Sequence, residues 1–252
     1  MAPLVLEASR DVVERISRTC TPLDNGYFRV LGGALGAKNS EGRYYKVNNA
    51  VVSLFSVSSS LMRRVKSAAL FAEVNHPKRE PGQTDEEFMD RWCDLDKRFE
   101  CGHIRKVELE SKARMVEGQA KPIFPVWIEI KPQGPYGEAL LENLTNKEVN
   151  VAFSVRTISK RGQDIDGTLI RLLLAVITYD WVNEPGINVA TQATTGLLKG
   201  ESITEIDDTA ITGMINFIER NSEHLKGEER DKLEIAKEVL STCGDGCIYN
   251  DF

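Results

Sequence analysis

Apolar residues recur along this chain in two rhythms, and each rhythm predicts a set of elements. Runs that alternate, or stay apolar between turn residues, predict strands. Tyr27 to Leu35 is one, and its glycines point to close backbone packing or a bulge. His103 to Glu110 alternates like a strand with one solvated face, and Val126 to Ile130 is another. Val149 to Thr157 predicts a strand carrying Ser154. Ile170 to Trp181 is so apolar, and so clearly bounded by Pro185-Gly186, that it predicts a buried central strand.

Apolar residues at three- and four-residue steps predict helices. Val12, Val13 and Ile16 mark a short one over 8–19, ended by Pro22. Leu61, Met62, Val65, Ala68 and Ala69 mark another over about 60–71, with Ser58, Ser59 and Ser60 as caps. Thr84 followed by Glu87 has the form of a capping box and opens a helix with Phe88, Trp92, Leu95 and Phe99 on one side. This stretch, about 82–100, reads as an inserted, acidic, surface-lying element. A short helix is expected from Tyr136 to Leu144, after the turn at Pro132 to Pro135. After residue 190 the chain turns small and polar, and two helices are expected at about 203–222 and 227–241. The chain therefore divides into a main domain, 1–190, and a helical C-terminal appendage, 191–252. No fixed period repeats, which argues against a solenoid.

At 252 residues, with 41% hydrophobic and 28% charged residues, the composition is that of an ordinary globular protein. A net charge of −6 argues against a surface built to hold nucleic acid. No direct nucleic-acid binding is expected, and protein or small-molecule partners come first. No apolar run approaches the roughly 20 residues that span a bilayer, so no membrane partner is expected. Five cysteines, an odd number, and an N-terminus without a basic region leading into an apolar run suggest a reducing compartment.

Three histidines, His76, His103 and His224, limit the choice of a general base. Pro77 holds His76 in extended or turn backbone, which makes it the first choice. Ser154 on its strand is the candidate nucleophile, since a hydroxyl needs a base in reach and a third group to orient that base. Asp180 ends an apolar strand, where an acid needs a partner. By spacing alone, Ser154 also reads as an ordinary strand serine, His76 as a turn histidine, and Asp180 as the partner of Arg156, Arg161 or Arg171. Cys101-x-His103 raises a thiol hydrolase or a metal site as rivals. Zinc would need two more ligands at short spacing, and Cys243 and Cys247 could supply them only by folding back. No metal and no cofactor is expected. Gly32, Gly33 and Gly36 are not a phosphate loop, because no lysine-serine pair follows them.

Read together, Asn39 to Tyr45, Asn75-His76-Pro77, Gly134-Pro135-Tyr136-Gly137-Glu138, Phe153-Ser154-Val155-Arg156 and Tyr179-Asp180-Trp181-Val182 with Pro185 resemble the prohead proteases of tailed bacteriophages. These are capsid-maturation serine proteases related to the herpesvirus assemblins, and the resemblance spans about 27–190. It implies an α+β fold with a mainly antiparallel, partly closed, barrel-like sheet flanked by helices. It also implies an endopeptidase inside the immature capsid in the host cytoplasm, cutting scaffold and capsid proteins, often after glutamate, and processing itself. Carried over, Ser154 is the nucleophile, His76 the base, and Asp180 stands where the viral relatives have a second histidine. Arg156 would either assist the oxyanion or form an ion pair with an acid such as Asp180 or Glu184. Two other readings are a non-enzymatic scaffold or capsid-assembly protein with the same fold, and a small-molecule hydrolase using the same three residues.

Overall fold

The computed structural model describes residues 20–39, 42–116, 120–146, 148–149, 151–183 and 235. Thirteen elements run along this stretch in the order β1 (Thr21–Pro22), a 3-10 turn (Asp24–Gly26), β2 (Phe28–Leu35), β3 (Tyr44–Tyr45), α1 (Asn49–Ser53), α2 (Ser60–Lys66), β4 (Phe71–Glu73), α3 (Asp85–Cys93), β5 (Glu100–Leu109), β6 (Phe124–Pro132), α4 (Gly137–Thr145), β7 (Ala152–Gln163) and β8 (Leu169–Val182).

The strands form two sheets, ordered β1-β2-β6-β5-β4 and β3-β8-β7. Every ladder is antiparallel except the short parallel pairing of β3 with β8. The fold is thus α+β, as expected, but the sheets do not close into a barrel. The reason lies at β4, which is only three residues long. Beyond it a single parallel bridge, Val74 to Trp181, joins the two sheets. Asn75 then turns the chain away with a positive φ of 62°. The far end of the same β8 edge is taken by β3, at Ile170 and Arg171.

β8 is buried on both faces from Leu173 to Asp180, which explains its unbroken apolar sequence. Its partner β7 is longer than expected. It runs on through Arg161-Gly162-Gln163, so the polar turn of the hairpin falls at 164–168. The main core fills the space around these strands with Leu31, Leu61, Ile104, Ile128, Phe153 and Tyr179.

The helices follow their sequence signals at the N-terminus more closely than at the C-terminus. Ser59 caps α2 by accepting from the Met62 amide at 3.2 Å. The helix stops at Lys66 rather than near residue 71, because Ala68 takes a left-handed φ of 56° and the chain re-enters as β4. Buried Arg64 ties α2 to β8 through a 2.9 Å bond from Nη2 to the Val176 carbonyl. The Thr84–Glu87 capping box is present at the start of α3. That helix is not a surface appendage: Phe88, Met89 and Trp92 are buried, while Phe99, beyond its end, is half-exposed. The predicted helices at 8–19, 203–222 and 227–241, and the boundary near 190, lie outside the described residues, except that Ile235 is buried.

The glycines in β2 have the packing role expected of them. The ladder with β6 is bulged between Leu31 and Gly33. A Cβ on Gly32 would lie 2.8 Å from Tyr179 Cδ1 and 3.0 Å from Ile128 Cγ2. Tyr179 is 1% exposed and has nowhere to retreat. Gly32→Ala is therefore expected to destabilise the fold by about 1–3 kcal/mol, the usual cost of overpacking. Urea denaturation of the two proteins checks this, and an unchanged midpoint would mean that the two sheets are not in close contact there.

Candidate active site

The chemistry collects where the end of β8 lies between β7 and the chain leaving β4. Ser154 on β7 stands directly opposite Asp180 on β8 in the antiparallel register. Residues paired in this way point to the same face, with Cβ atoms about 4.5–5.5 Å apart. On the other edge of β8 the Asn75 amide donates to the Trp181 carbonyl at 2.7 Å, which brings the next residue, His76, alongside. His76 Nδ1 then meets Asp180 Oδ2 at 2.7 Å. A carboxylate can only accept, so Nδ1 carries the proton and Nε2 is left as the basic nitrogen. The imidazole is 18% exposed, whereas Asp180 beneath it is fully buried. Its ring packs at a tilt against Trp92 of α3, with centroids 5.8 Å apart.

Arg156, two residues after Ser154 on the same face of β7, is 0% exposed. Its Nε donates to Asp180 Oδ2 at 2.7 Å and its Nη2 to Asp180 Oδ1 at 2.9 Å. Nη2 also reaches Glu73 Oε2 at 2.8 Å, and Nη1 reaches the carbonyls of Trp92 at 3.4 Å and Asp94 at 3.0 Å. Every donor of the guanidinium is therefore engaged. Of the two roles weighed for Arg156, the geometry matches the ion pair. The guanidinium has no donor left for an oxyanion.

Burial pushes the Asp180 carboxyl up, but the Arg156 charge and the His76 hydrogen bond outweigh it and hold it below the ordinary value. For Arg156, burial works to lower the value and the charges of Asp180 and Glu73 more than offset it. The site thus holds a carboxylate that stays ionised and an imidazole oriented by it, with Ser154 as the cross-strand neighbour of that aspartate. Such a set can take a proton from an alcohol and give it to a leaving amine.

Two members of this cluster are absent from the residues singled out in the sequence, Glu73 and Arg91. Glu73 is 1% exposed and takes two bonds from Arg91, at 3.1 and 2.7 Å. It also accepts from the Asp96 amide. The signal for Glu73 was present: an acid in the apolar strand Phe71-Ala72-Glu73-Val74 is as costly there as Asp180 is in β8.

The rival chemistries find no support in the same region. Cys101 is fully buried, and burial together with the Asp180 charge pushes its thiol well up, the opposite of what a nucleophile needs. His103 Nδ1 is occupied by the Tyr27 hydroxyl at 2.8 Å. Among the described residues no three of His, Cys, Asp and Glu group so as to hold a metal ion. Cys243, Cys247 and His224 lie outside those residues. Among the described residues, too, no helix is long and apolar enough to cross a membrane.

Comparison with known proteins places this geometry in context. A model of the peptidase S80 family matches residues 17–243. The capsid maturation protease of Pseudomonas phage phiKZ is similar to the chain, at 34% identity over 170 residues. That alignment covers 66% of this chain and 60% of the relative, so less than two thirds of the relative's length is represented. No solved structure matches the chain.

Removing Arg156 tests the electrostatic account. Arg156→Met would leave Asp180 buried without its guanidinium and Glu73 with Arg91 alone, and is expected to cost about 3–5 kcal/mol at neutral pH. The sign with pH follows from the depressed value of Asp180. Its stabilisation is present above the unfolded value of about 3.9 and is lost as pH falls through the lower folded value. In the variant the folded Asp180 carboxyl, buried without that guanidinium, is instead raised, and it gains by taking up a proton. The deficit read by urea denaturation should therefore shrink on acidification. A deficit independent of pH would show that the charge of Arg156 is not what matters.

Proposed function

We propose that this chain, which belongs to the peptidase S80 family, is a serine endopeptidase that matures a phage capsid. The observation that carries the reading is the 2.7 Å bond between His76 Nδ1 and Asp180 Oδ2, with Ser154 as the cross-strand neighbour of that same aspartate. One aspartate that orients an imidazole and pairs across the sheet with a serine supports those three residues in the roles that acyl transfer requires.

The steps follow from those roles. His76 Nε2 takes the proton as Ser154 Oγ attacks the scissile carbonyl carbon, giving a tetrahedral oxyanion. Asp180 stabilises the imidazolium and does not itself take up the proton. Collapse of the intermediate expels the amine, which leaves with the proton from His76 and an acyl group on Ser154. Water, deprotonated in turn by His76, hydrolyses that ester and restores the hydroxyl. With Arg156 committed beneath Asp180, backbone amides stabilise the oxyanion. The same reading relates the chain to the herpesvirus assemblins, with Asp180 in the place of their second histidine.

The phiKZ relative is named for capsid maturation. Its similarity supports scaffold and capsid proteins as the substrates of this chain and the prohead inside the host cell as its place of action. Cleavage after glutamate, self-processing and removal of the region after 190 belong to the same proposal.

Incubation of the purified chain with the scaffold and capsid proteins of its phage, followed by mass spectrometry of the new termini, tests all of this. Products ending in glutamate are expected. Ser154→Ala and His76→Ala should abolish them, and Asp180→Asn should slow their appearance by roughly 10³–10⁴-fold. Equal inertness of wild type and Ser154→Ala towards every such substrate would favour a non-enzymatic assembly protein with this fold. Products from a small ester, with none from the proteins, would favour the small-molecule hydrolase.

A further inference from the structure

The charged cluster beneath His76 extends past the three residues that do the chemistry. Glu73 is linked to Asp180 in two ways: its backbone amide donates to Asp180 Oδ1 at 3.1 Å, and its carboxylate shares Arg156 with it, at 2.8 Å from Nη2. On its far side Glu73 is gripped by both terminal nitrogens of Arg91, from the last turn of α3. The same segment supplies the Trp92 and Asp94 carbonyls that hold Arg156 and the Asp96 amide that holds Glu73. Two carboxylates, Glu73 and Asp180, are thus balanced by two guanidiniums, Arg91 and Arg156.

Resting on the serine-protease reading, we propose that Glu73, braced by Arg91, is a positioning residue of the catalytic centre. Through Arg156 it fixes the carboxylate that orients His76, and its charge sets the balance against which the imidazole takes up a proton. The helix bearing Arg91 is accordingly part of the machinery.

The sign of the effect follows from counting charges. Glu73→Gln keeps the shape and an accepting oxygen but leaves the cluster one unit more positive, which disfavours the imidazolium. Arg91→Gln leaves it one unit more negative, which favours the imidazolium. The other ionisable groups facing the cluster do not differ between these variants. They are Arg64 from α2 and Glu100 and Cys101 from β5, where burial holds the thiol protonated. Asp94, Lys97 and the Asp96–Arg98 pair follow α3, and the Arg79–Asp85 pair follows His76.

The test needs no knowledge of the substrate. The full chain is labelled with carbon-13 at histidine Cε1, and the His76 resonance, assigned by its loss in His76→Gln, is followed against pH. The His76 midpoint should fall by about half to one pH unit in Glu73→Gln and rise by a smaller step in Arg91→Gln, whose charge is partly screened by water. The double variant should return close to wild type, with His103 unmoved throughout. In parallel, a fluorophosphonate probe is used to phosphonylate Ser154, releasing fluoride as the hydroxyl proton passes to His76. The acid limb of that rate should follow the resonance in each variant.

Midpoints that stay fixed, or move in the same direction in both single variants, overturn the proposal. So does a slower labelling rate with an unmoved acid limb, since Glu73 would then serve the fold alone. If Glu73→Gln does not fold, the rise in Arg91→Gln decides the matter. Failure of the probe to label wild type, alongside shifts as expected, would reject Ser154 as nucleophile while leaving the charge balance standing. Labelling of Ser154 with no shifts would do the reverse.

Discussion

A fully buried guanidinium lies between two buried carboxylates at the centre of this protein. An ion taken from water costs several kcal/mol even after relaxation, and the attraction of a partner repays that only when geometry is good and the remaining donors are satisfied. Arg156 meets both conditions, with bidentate contact to Asp180, a further bond to Glu73, and two backbone carbonyls completing the set. These partners come from β8, from β4 and from the segment at the end of α3. None of the three can shift far without leaving a charge unpaired in the interior. The arginine therefore fixes the mutual position of the elements that carry His76 and Ser154.

The sheets supply the coarse placement that this network refines. Antiparallel pairing puts Ser154 opposite Asp180, and a slip of one residue would turn the serine to the other face. β4 reaches β8 through the single Val74–Trp181 bridge, and Asn75 then leaves in the left-handed region, where asparagine is among the few residues other than glycine found with any frequency. A longer β4 would continue the ladder past Trp181 and carry His76 off along the strand. The short strand and the turn after it are what set the imidazole over the carboxylate. The same shortness keeps the two sheets from closing into a barrel.

Much of this was legible in local patterns. The unbroken apolar run of β8, the capping box of α3 and the serine cap of α2 depend on neighbours a few residues apart, and they stand where the sequence put them. His76 was marked by Pro77, and Asp180 by the cost of an acid on an apolar strand. The partners were harder to see. Arg156 had several acids within reach by sequence, and only the strand register assigns it Asp180. Glu73 and Arg91 lie 18 residues apart and join because α3 folds back over β4, which no spacing rule encodes. The acidic character of 82–100 suggested a solvated appendage, yet its apolar face and Arg91 turn inward.

An aspartate buried beneath a histidine has structural consequences that a neutral group there would not have. A neutral imidazole can be buried with hydrogen bonds alone, whereas a carboxylate brings a full charge under the sheet. Arg156 offsets that charge, but a guanidinium offers more donors than one carboxylate can accept, so two carbonyls and Glu73 are drawn in. Glu73 adds a second negative charge, which Arg91 and the Asp96 amide answer. The series ends at Arg91 because its side chain is 24% exposed, and water can carry what remains. A single acid that holds a histidine thus extends outward, charge by charge, until it reaches solvent, and it ties α3 to the end of β8 along the way.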